Sequence, residues 1–257
     1  MSRPFFCMVT VLGYNSKDDI VYQFWANRDS HEVYYFDPKT DYAPTTAISS
    51  ISWDDPNFPN IEGFGVWAAK CNFTMGPDGK MYSRMLGGNL VRIDVENARG
   101  ENLTNGDLVG TKDGSAYGLV FDPQDENVFY FSNNDKHCIY KYDLRTKECA
   151  CWAGQEGKSG YLDGPIGQAM FNKPGQMCVD SEGNIILTDT ENHCIRKITM
   201  STGYVSTLAG KPQNSGYVNG SAEDAQFKKP LGICIDNDDV MYIGDSENRA
   251  IRRLAVE

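Results

Sequence analysis

The chain has 257 residues, enough for a large core, and its 40% apolar, 12% aromatic and 23% charged residues are ordinary for a globular protein. A formal net charge of −11 argues against nucleic acid as a partner, which needs a basic footprint, and against docking on an anionic membrane. No apolar run reaches the roughly 18 residues of a membrane span, and Met1 to Cys7 lacks a complete export signal because its apolar run is short and no small-residue cleavage site follows.

Five groups of short strands are predicted along the chain. Residues 5–52 give strands at 7–12, 21–26, 33–36 and 45–51. Residues 66–110 give 71–75, the turn Gly76-Pro77-Asp78-Gly79, then 80–83 and 90–93. Residues 115–154 give 117–121, 128–132, 138–142 and 148–153. Residues 169–210 give 176–179, 185–188, 194–198 and 204–209. Residues 225–257 end on a third strand at 251–256, with no fourth. Asp180-Ser181-Glu182-Gly183-Asn184 and Asp189-Thr190-Glu191-Asn192-His193 are turns, and the runs are too short and too punctuated for helices.

The groups repeat. His137-Cys138-Ile139 recurs as His193-Cys194-Ile195. Gly154, Tyr161, Gly164, Phe171, Pro174, Asp189, Asn192 and Arg196 recur as Gly210, Tyr217, Gly220, Phe227, Pro230, Asp245, Asn248 and Arg252. From 137 to 193, and from 196 to 252, the step is 56 residues. A fixed period of this length marks a repeat architecture. Four antiparallel strands and a Gly-rich linker make one blade of an all-β propeller. Five four-stranded blades are visible, at 5–52, 66–110, 115–154, 169–210 and 225–257, as a single domain. The last lacks its outer strand, which points to further sequence upstream in the parent protein, as much as one more blade.

Recurrence also colours single residues. Cys138 and Cys194 share a repeat position, as do Cys178 and Cys234, so the eight cysteines read as small buried hydrophobes rather than a disulfide set. Cys149-Ala150-Cys151 lacks the paired spacing of a zinc site. His31, His137, His193 and Arg249 occupy one turn position. They are either a ring of ligand-binding side chains or the consensus of that turn, and peripheral turns cannot converge on one ion. Asp189 precedes Arg196 by seven residues, as Asp245 precedes Arg252. Asn27 with Tyr34 and Asn133 with Tyr140 stand in the same places. These read as cross-strand structural pairs, the ionic ones exposed and worth about 0–1 kcal/mol each. Tyr161 and Tyr217, in the linkers 160–164 and 216–220, either stack on a sugar or peptide or pack over their own blade. Asp180 and Asp236 are turn formers.

The runs Asp189 to Ile198 and Asp245 to Leu254, with the flanking linkers, resemble the NHL repeat. Over residues 115–257 the chain is similar to the propeller part of bacterial TIG/NHL proteins of the Bacteroidetes type. That resemblance implies a propeller, most often six-bladed, and no single function. In such proteins the propeller often follows a TIG domain and a lipoprotein signal. Zinc-binding relatives place His at inner-strand starts, which here are near Val66, Tyr117, Gly175 and Leu231. Lactonase-type propellers need acidic residues there, and none is present.

The expectation is a non-enzymatic binding or scaffold module without cofactor or metal. It would engage a glycan, peptide or protein on the turn face around the channel. It would carry a linked upstream domain and be periplasmic or cell-surface if that domain brings an export signal. The alternatives are a metal-dependent hydrolase or lactonase with degenerate motifs, and a fragment without independent function.

Overall fold

The computed structural model describes residues 10–15, 20–26, 31–41, 43–48, 52–53, 74–84, 89–104 and 117–255. The chain falls into two compact units, Met1–Leu108 and Val109–Glu257. Both are built from small sheets in which three or four consecutive strands pair in turn, because β-branched and aromatic runs alternate with tight polar turns.

The first unit holds two sheets. Strands β1 (Thr10–Asn15), β2 (Ile20–Ala26), β3 (His31–Phe36) and β4 (Pro44–Ile48) form an antiparallel meander. The second sheet has the order β5-β9-β8-β7-β6, from β5 (Ser52–Trp53), β6 (Thr74–Met75), β7 (Met81–Arg84), β8 (Leu90–Asp94) and β9 (Arg99–Asn102). Strand β5 joins its edge parallel to β9. The expected strand starts at 7–9 and 71–73 lie outside the described residues, as does Asn27.

The second unit holds three sheets. The third sheet is β10 (Leu119–Phe121), β11 (Val128–Asn133), β12 (Cys138–Asp143) and β13 (Cys149–Gly154). In the fourth, β15 (Pro174–Val179), β16 (Ile185–Asp189), β17 (Cys194–Thr199) and β18 (Tyr204–Ala209) make the blade, and the two-residue β14 (Gly164–Pro165) pairs with β18 at its outer edge. The fifth sheet has three strands, β19 (Pro230–Ile235), β20 (Met241–Asp245) and β21 (Ala250–Leu254). These small, mostly antiparallel sheets are the blades of a β-propeller. They differ from the expected four-stranded plan where a connection adds a fifth strand, as β5 and β14 do. Two of the expected turns tighten into single 3-10 turns, Thr190–Asn192 and Ser246–Asn248.

Alternation along the middle blade explains its burial. Ile185 and Leu187 face one way, into a cluster with Val120, Tyr130 and Ile139 of the third sheet. Ile186 faces the other way, into a cluster with Ile195, Phe227, Ile233 and Ile243. Both faces of one sheet are therefore core, as period-2 patterning requires.

The period is written in the backbone as well. Positive φ angles recur at the same step: His137, His193 and Arg249 at 57°, 59° and 53°; Lys173 and Lys229 at 57° and 50°. Lys147 and Gly203 share 60° and 61°, and Gly157 and Gln213 stand at 75° and 61°.

Candidate functional site

The most elaborate side-chain assembly sits where the linkers before the fourth and fifth blades cross the third strands of those blades. Arg196, on β17, is fully buried. One of its nitrogens, Nη1, donates to Asp189 Oδ2 at 2.7 Å and to the Met170 carbonyl at 3.1 Å. The other, Nη2, donates to Asp163 Oδ1 at 2.7 Å and to the Leu162 carbonyl at 2.9 Å. The guanidinium lies between two rings, with Tyr161 at 4.9 Å and Phe171 at 5.2 Å. Asp189 is satisfied in turn: Oδ1 accepts from the Asn172 N–H at 2.8 Å, and Oδ2 also accepts from Asn192 Nδ2 at 2.8 Å. Burial pushes the Asp189 carboxyl up to about 6, against the opposing pull of Arg196.

The fifth sheet copies this assembly. Arg252 donates to Asp245 Oδ2 at 2.9 Å, the Gln226 carbonyl at 3.1 Å, the Val218 carbonyl at 2.6 Å and Asn219 Oδ1 at 2.7 Å. Tyr217 and Phe227 flank it, each at 5.0 Å. Asn248 Nδ2 reaches Asp245 Oδ2 and the Gly216 carbonyl, both at 2.8 Å, as Asn192 reaches Asp189 and Gly160. One side chain, Asn219 for Asp163, is the difference in polar composition. The expectation of exposed ion pairs is corrected here. Asp189, Arg196 and Asp245 are fully buried and Arg252 nearly so, because the linker lies across the pair and seals it from water. A pair so enclosed is costly to break, since the abandoned charge stays buried.

The third sheet is built otherwise. Asn133 Oδ1 accepts from the Lys136 N–H at 3.1 Å within its own turn, and the Tyr140 ring stacks on Phe131 with centroids 5.4 Å apart.

The histidines occupy the turn between the second and third strands. His31 opens β3, opposite Ala26. His137 Nδ1 accepts from the Lys173 N–H at 3.1 Å, and His193 Nδ1 accepts from the Lys229 N–H at 3.2 Å. Each imidazole thus ties its turn to the loop that starts the next blade. Burial, aided by the Lys173 charge, holds His137 below the usual imidazole value, which suits an acceptor nitrogen. Arg249 has the same left-handed backbone and is exposed. Among the described residues no group of three or more His, Cys, Asp and Glu side chains is placed to hold a metal ion.

The linkers start beside these turns. The Gly157 N–H donates to the Lys136 carbonyl, and the Gln213 N–H to the Asn192 carbonyl, both at 2.8 Å. The two tyrosines then differ. The Tyr161 hydroxyl shares a hydrogen bond with Thr207 Oγ1 at 2.8 Å and its ring is half-buried. Tyr217 is 61% exposed. Asp180 and Asp236 do form turns: Asp180 Oδ1 accepts from the Asn184 N–H at 2.7 Å, and Asp236 Oδ1 from the Val240 N–H at 2.9 Å. Cys138 and Cys194 are buried free thiols, Cys151 and Cys178 are half-buried free thiols and Cys234 is an exposed one, while Cys149 is half-buried. The cation–π sandwich, Asp163 and the Lys173 and Lys229 amides were not read from the sequence. Phe171 and Phe227 recur at the 56-residue step, which was the available signal.

Residues 171–198 match the family model of the NHL repeat. The chain is 25% identical over 262 residues to Protein SUPPRESSOR OF QUENCHING 1, chloroplastic, of Arabidopsis thaliana, covering 95% of this chain and 24% of that protein. It is 30% identical over 152 residues to NHL repeat-containing protein 2 of Gallus gallus, covering 58% of this chain and 19% of that one. The chain therefore spans a quarter or less of these relatives. Among solved structures, a protein of unknown function from Bacteroides thetaiotaomicron has a TM-score of 0.79 and 24% identity, covering 96% of this chain and 58% of that one. An auxiliary nutrient binding protein of the same organism has a TM-score of 0.71 and 22% identity, with the same coverage. Taken with the blades, these likenesses make the chain a β-propeller that carries an NHL repeat at residues 171–198.

Proposed function

We propose that this chain is a non-enzymatic binding propeller whose ligand meets the face carrying the His137, His193 and Arg249 turns and the tyrosine linkers. The observation that carries this reading is Tyr217. Its ring is largely exposed, yet the Arg252 guanidinium beneath it, itself held by four hydrogen bonds, fixes its position. An aromatic face that is both exposed and immobilised suits stacking on a sugar ring or an apolar peptide side chain at little entropic cost. Leu162 and Val218, exposed on the same two linkers, extend the apolar surface. The ligand classes are a glycan, a peptide or a protein surface. The likeness to a nutrient binding protein supports binding as the role. The relatives are longer than this chain, which supports a further linked segment in the parent protein.

The test is a thermal-shift screen of the purified chain against oligosaccharides and peptides. At least one ligand is expected to raise Tm, and Tyr217→Ala should abolish that rise while the unliganded Tm stays near wild type. A screen without any shift, or turnover of a lactone or phosphoester abolished by chelation, would overturn the proposal.

A further inference from the structure

The third sheet carries two thiols on one face of neighbouring strands. Cys138 opens β12 and Cys151 lies on β13, in the register Cys138↔Gly154, Ile139↔Ala153 and Tyr140↔Cys151. Paired residues of an antiparallel ladder point to the same side, so Cys138, Tyr140 and Cys151 share a face. Gly154, directly opposite Cys138, brings no side chain, so the next side chain along β13 on that face is that of Cys151. The register shifts between Ile139 and Tyr140, which makes Trp152 an extra residue, and a bulge of this kind re-aims the side chains beside it. Cys151 leans toward Cys138: its Sγ lies 3.8 Å from the carbonyl oxygen of Gly154, and the two thiols hydrogen-bond each other. Cys138 is fully buried and Cys151 half-buried. The bond from Cys138 holds the Cys151 thiol below its ordinary value, against burial and the Glu156 charge. That same bond, with burial, pushes Cys138 far up. The fourth sheet has the equivalent bulge, between Ile195 and Arg196, without the pair. There Cys194 repeats Cys138 and is as deeply buried, but Thr207 stands where Cys151 does, its hydroxyl bonded to Tyr161. The blade plan therefore does not require the second thiol.

We propose that Cys138 and Cys151 are a redox pair that closes reversibly to a disulfide, with Cys151 meeting the oxidant and Cys138 resolving it. The oxidant is a hydroperoxide, small enough to reach a half-buried sulfur. The Cys151 thiolate attacks one peroxide oxygen, the O–O bond breaks, and the other oxygen leaves as an alcohol or as water with the proton that the thiol gave up. Cys151 is then a sulfenic acid. The Cys138 sulfur attacks that sulfur, the S–S bond forms, and the hydroxyl departs as water with the Cys138 proton. Two electrons pass from the two sulfurs to the peroxide bond, and a dithiol returns them when the disulfide is reduced. The division of roles follows from position: Cys151 is the more accessible and the more acidic sulfur, and Cys138 lies beside it, shielded from competing reagents. None of the ligand-face side chains takes part, so this proposal and the binding reading fail separately.

The experiment treats the full chain with hydrogen peroxide, alkylates the remaining thiols and maps the cysteines by mass spectrometry. The expected product is lighter by two hydrogen atoms, linked between Cys138 and Cys151, and restored by dithiothreitol. A chain already carrying that link as isolated, and releasing it to dithiothreitol, counts as the same result. Cys194, equally buried but facing Thr207, is the internal reference and should be consumed at least about tenfold more slowly than Cys151. Cys138→Ser should leave Cys151 as a sulfenic acid that dimedone traps, and Cys151→Ser should leave Cys138 reduced. Melting curves check both variants, and the wild-type map decides the matter by itself if either misfolds. Three results would each overturn the proposal: no Cys138–Cys151 link under excess peroxide, a link from Cys151 to a different cysteine, or consumption of Cys151 and Cys194 at one rate.

Discussion

The fourth and fifth sheets hold the same Arg, Asp, Asn and two-ring assembly, but β18 covers the first and no described strand covers the second. The polar distances barely change between them: 2.7 Å for Arg196 to Asp189, and 2.9 Å for Arg252 to Asp245. The apolar burial changes completely, as Ile195 and Ile251 show. Two forces are thereby separated. The clamp is set by the linker and the second and third strands, whose hydrogen-bond geometry is self-sufficient. The outer strand adds hydrophobic burial and closes one hydrogen-bonding edge.

Substitutions can break this comparison. Arg196→Ala strands a fully buried Asp189 carboxylate and should cost about 3–5 kcal/mol in urea unfolding. Arg252→Ala should cost at least about 1 kcal/mol less, because among the described residues no strand covers that edge of its sheet and Arg252 keeps some exposure to water. Equal costs would show that the clamp ignores the outer strand. Ile195→Ala should then lose about 2–4 kcal/mol, against less than about 0.5 for Ile251→Ala, as burial dictates. A large loss at Ile251 would mean that something covers it in solution.

A pH titration sharpens the contrast between the turns. Burial and the Lys173 charge hold native His137 below the value near 6.5 at which the unfolded chain takes up a proton. The unfolded state therefore binds more protons around that pH, and stability falls as pH falls through it, by a modest amount because the ring is only half-buried. His137→Gln should flatten this part of the profile, while Arg249→Gln, in the equivalent turn of the fifth sheet, should leave it unchanged. The smallest expected effect concerns the tyrosines. Tyr161→Phe removes the hydrogen bond to Thr207 and should cost about 1 kcal/mol, while Tyr217→Phe should be near neutral.

The propeller was legible because its determinants are periodic. The strands at 185–188, 194–198 and 204–209 fall within a residue of those found, since each is a β-rich run between strong turn residues. The pairing of Asp189 with Arg196 was also readable, because the two vary together between repeats. Its burial was not, for what covers the pair is a linker whose path depends on backbone angles at Gly164 and on contacts 26 to 34 residues away. The role of His137 and His193 was hidden for the same reason. Their partners are backbone amides of Lys173 and Lys229, and an amide leaves no mark in a residue string. The short β14 was missed because Gly-Pro carries no strand propensity and pairs only through its fixed position beside Val205.

The left-handed backbone positions have a practical consequence for anyone rebuilding this protein. Lys147 and Gly203 bend the chain identically, and each N–H closes the same loop at 2.8 Å, to Asp143 and Thr199. Gly157 and Gln213 do likewise, through Lys136 and Asn192. Shape has been inherited where identity has drifted, so hairpins and linkers of neighbouring blades should be exchangeable as cassettes. A chimaera that moves residues 143–147 into 199–203 needs no new backbone, and its one packing change is Leu144 in place of Met200 against the core.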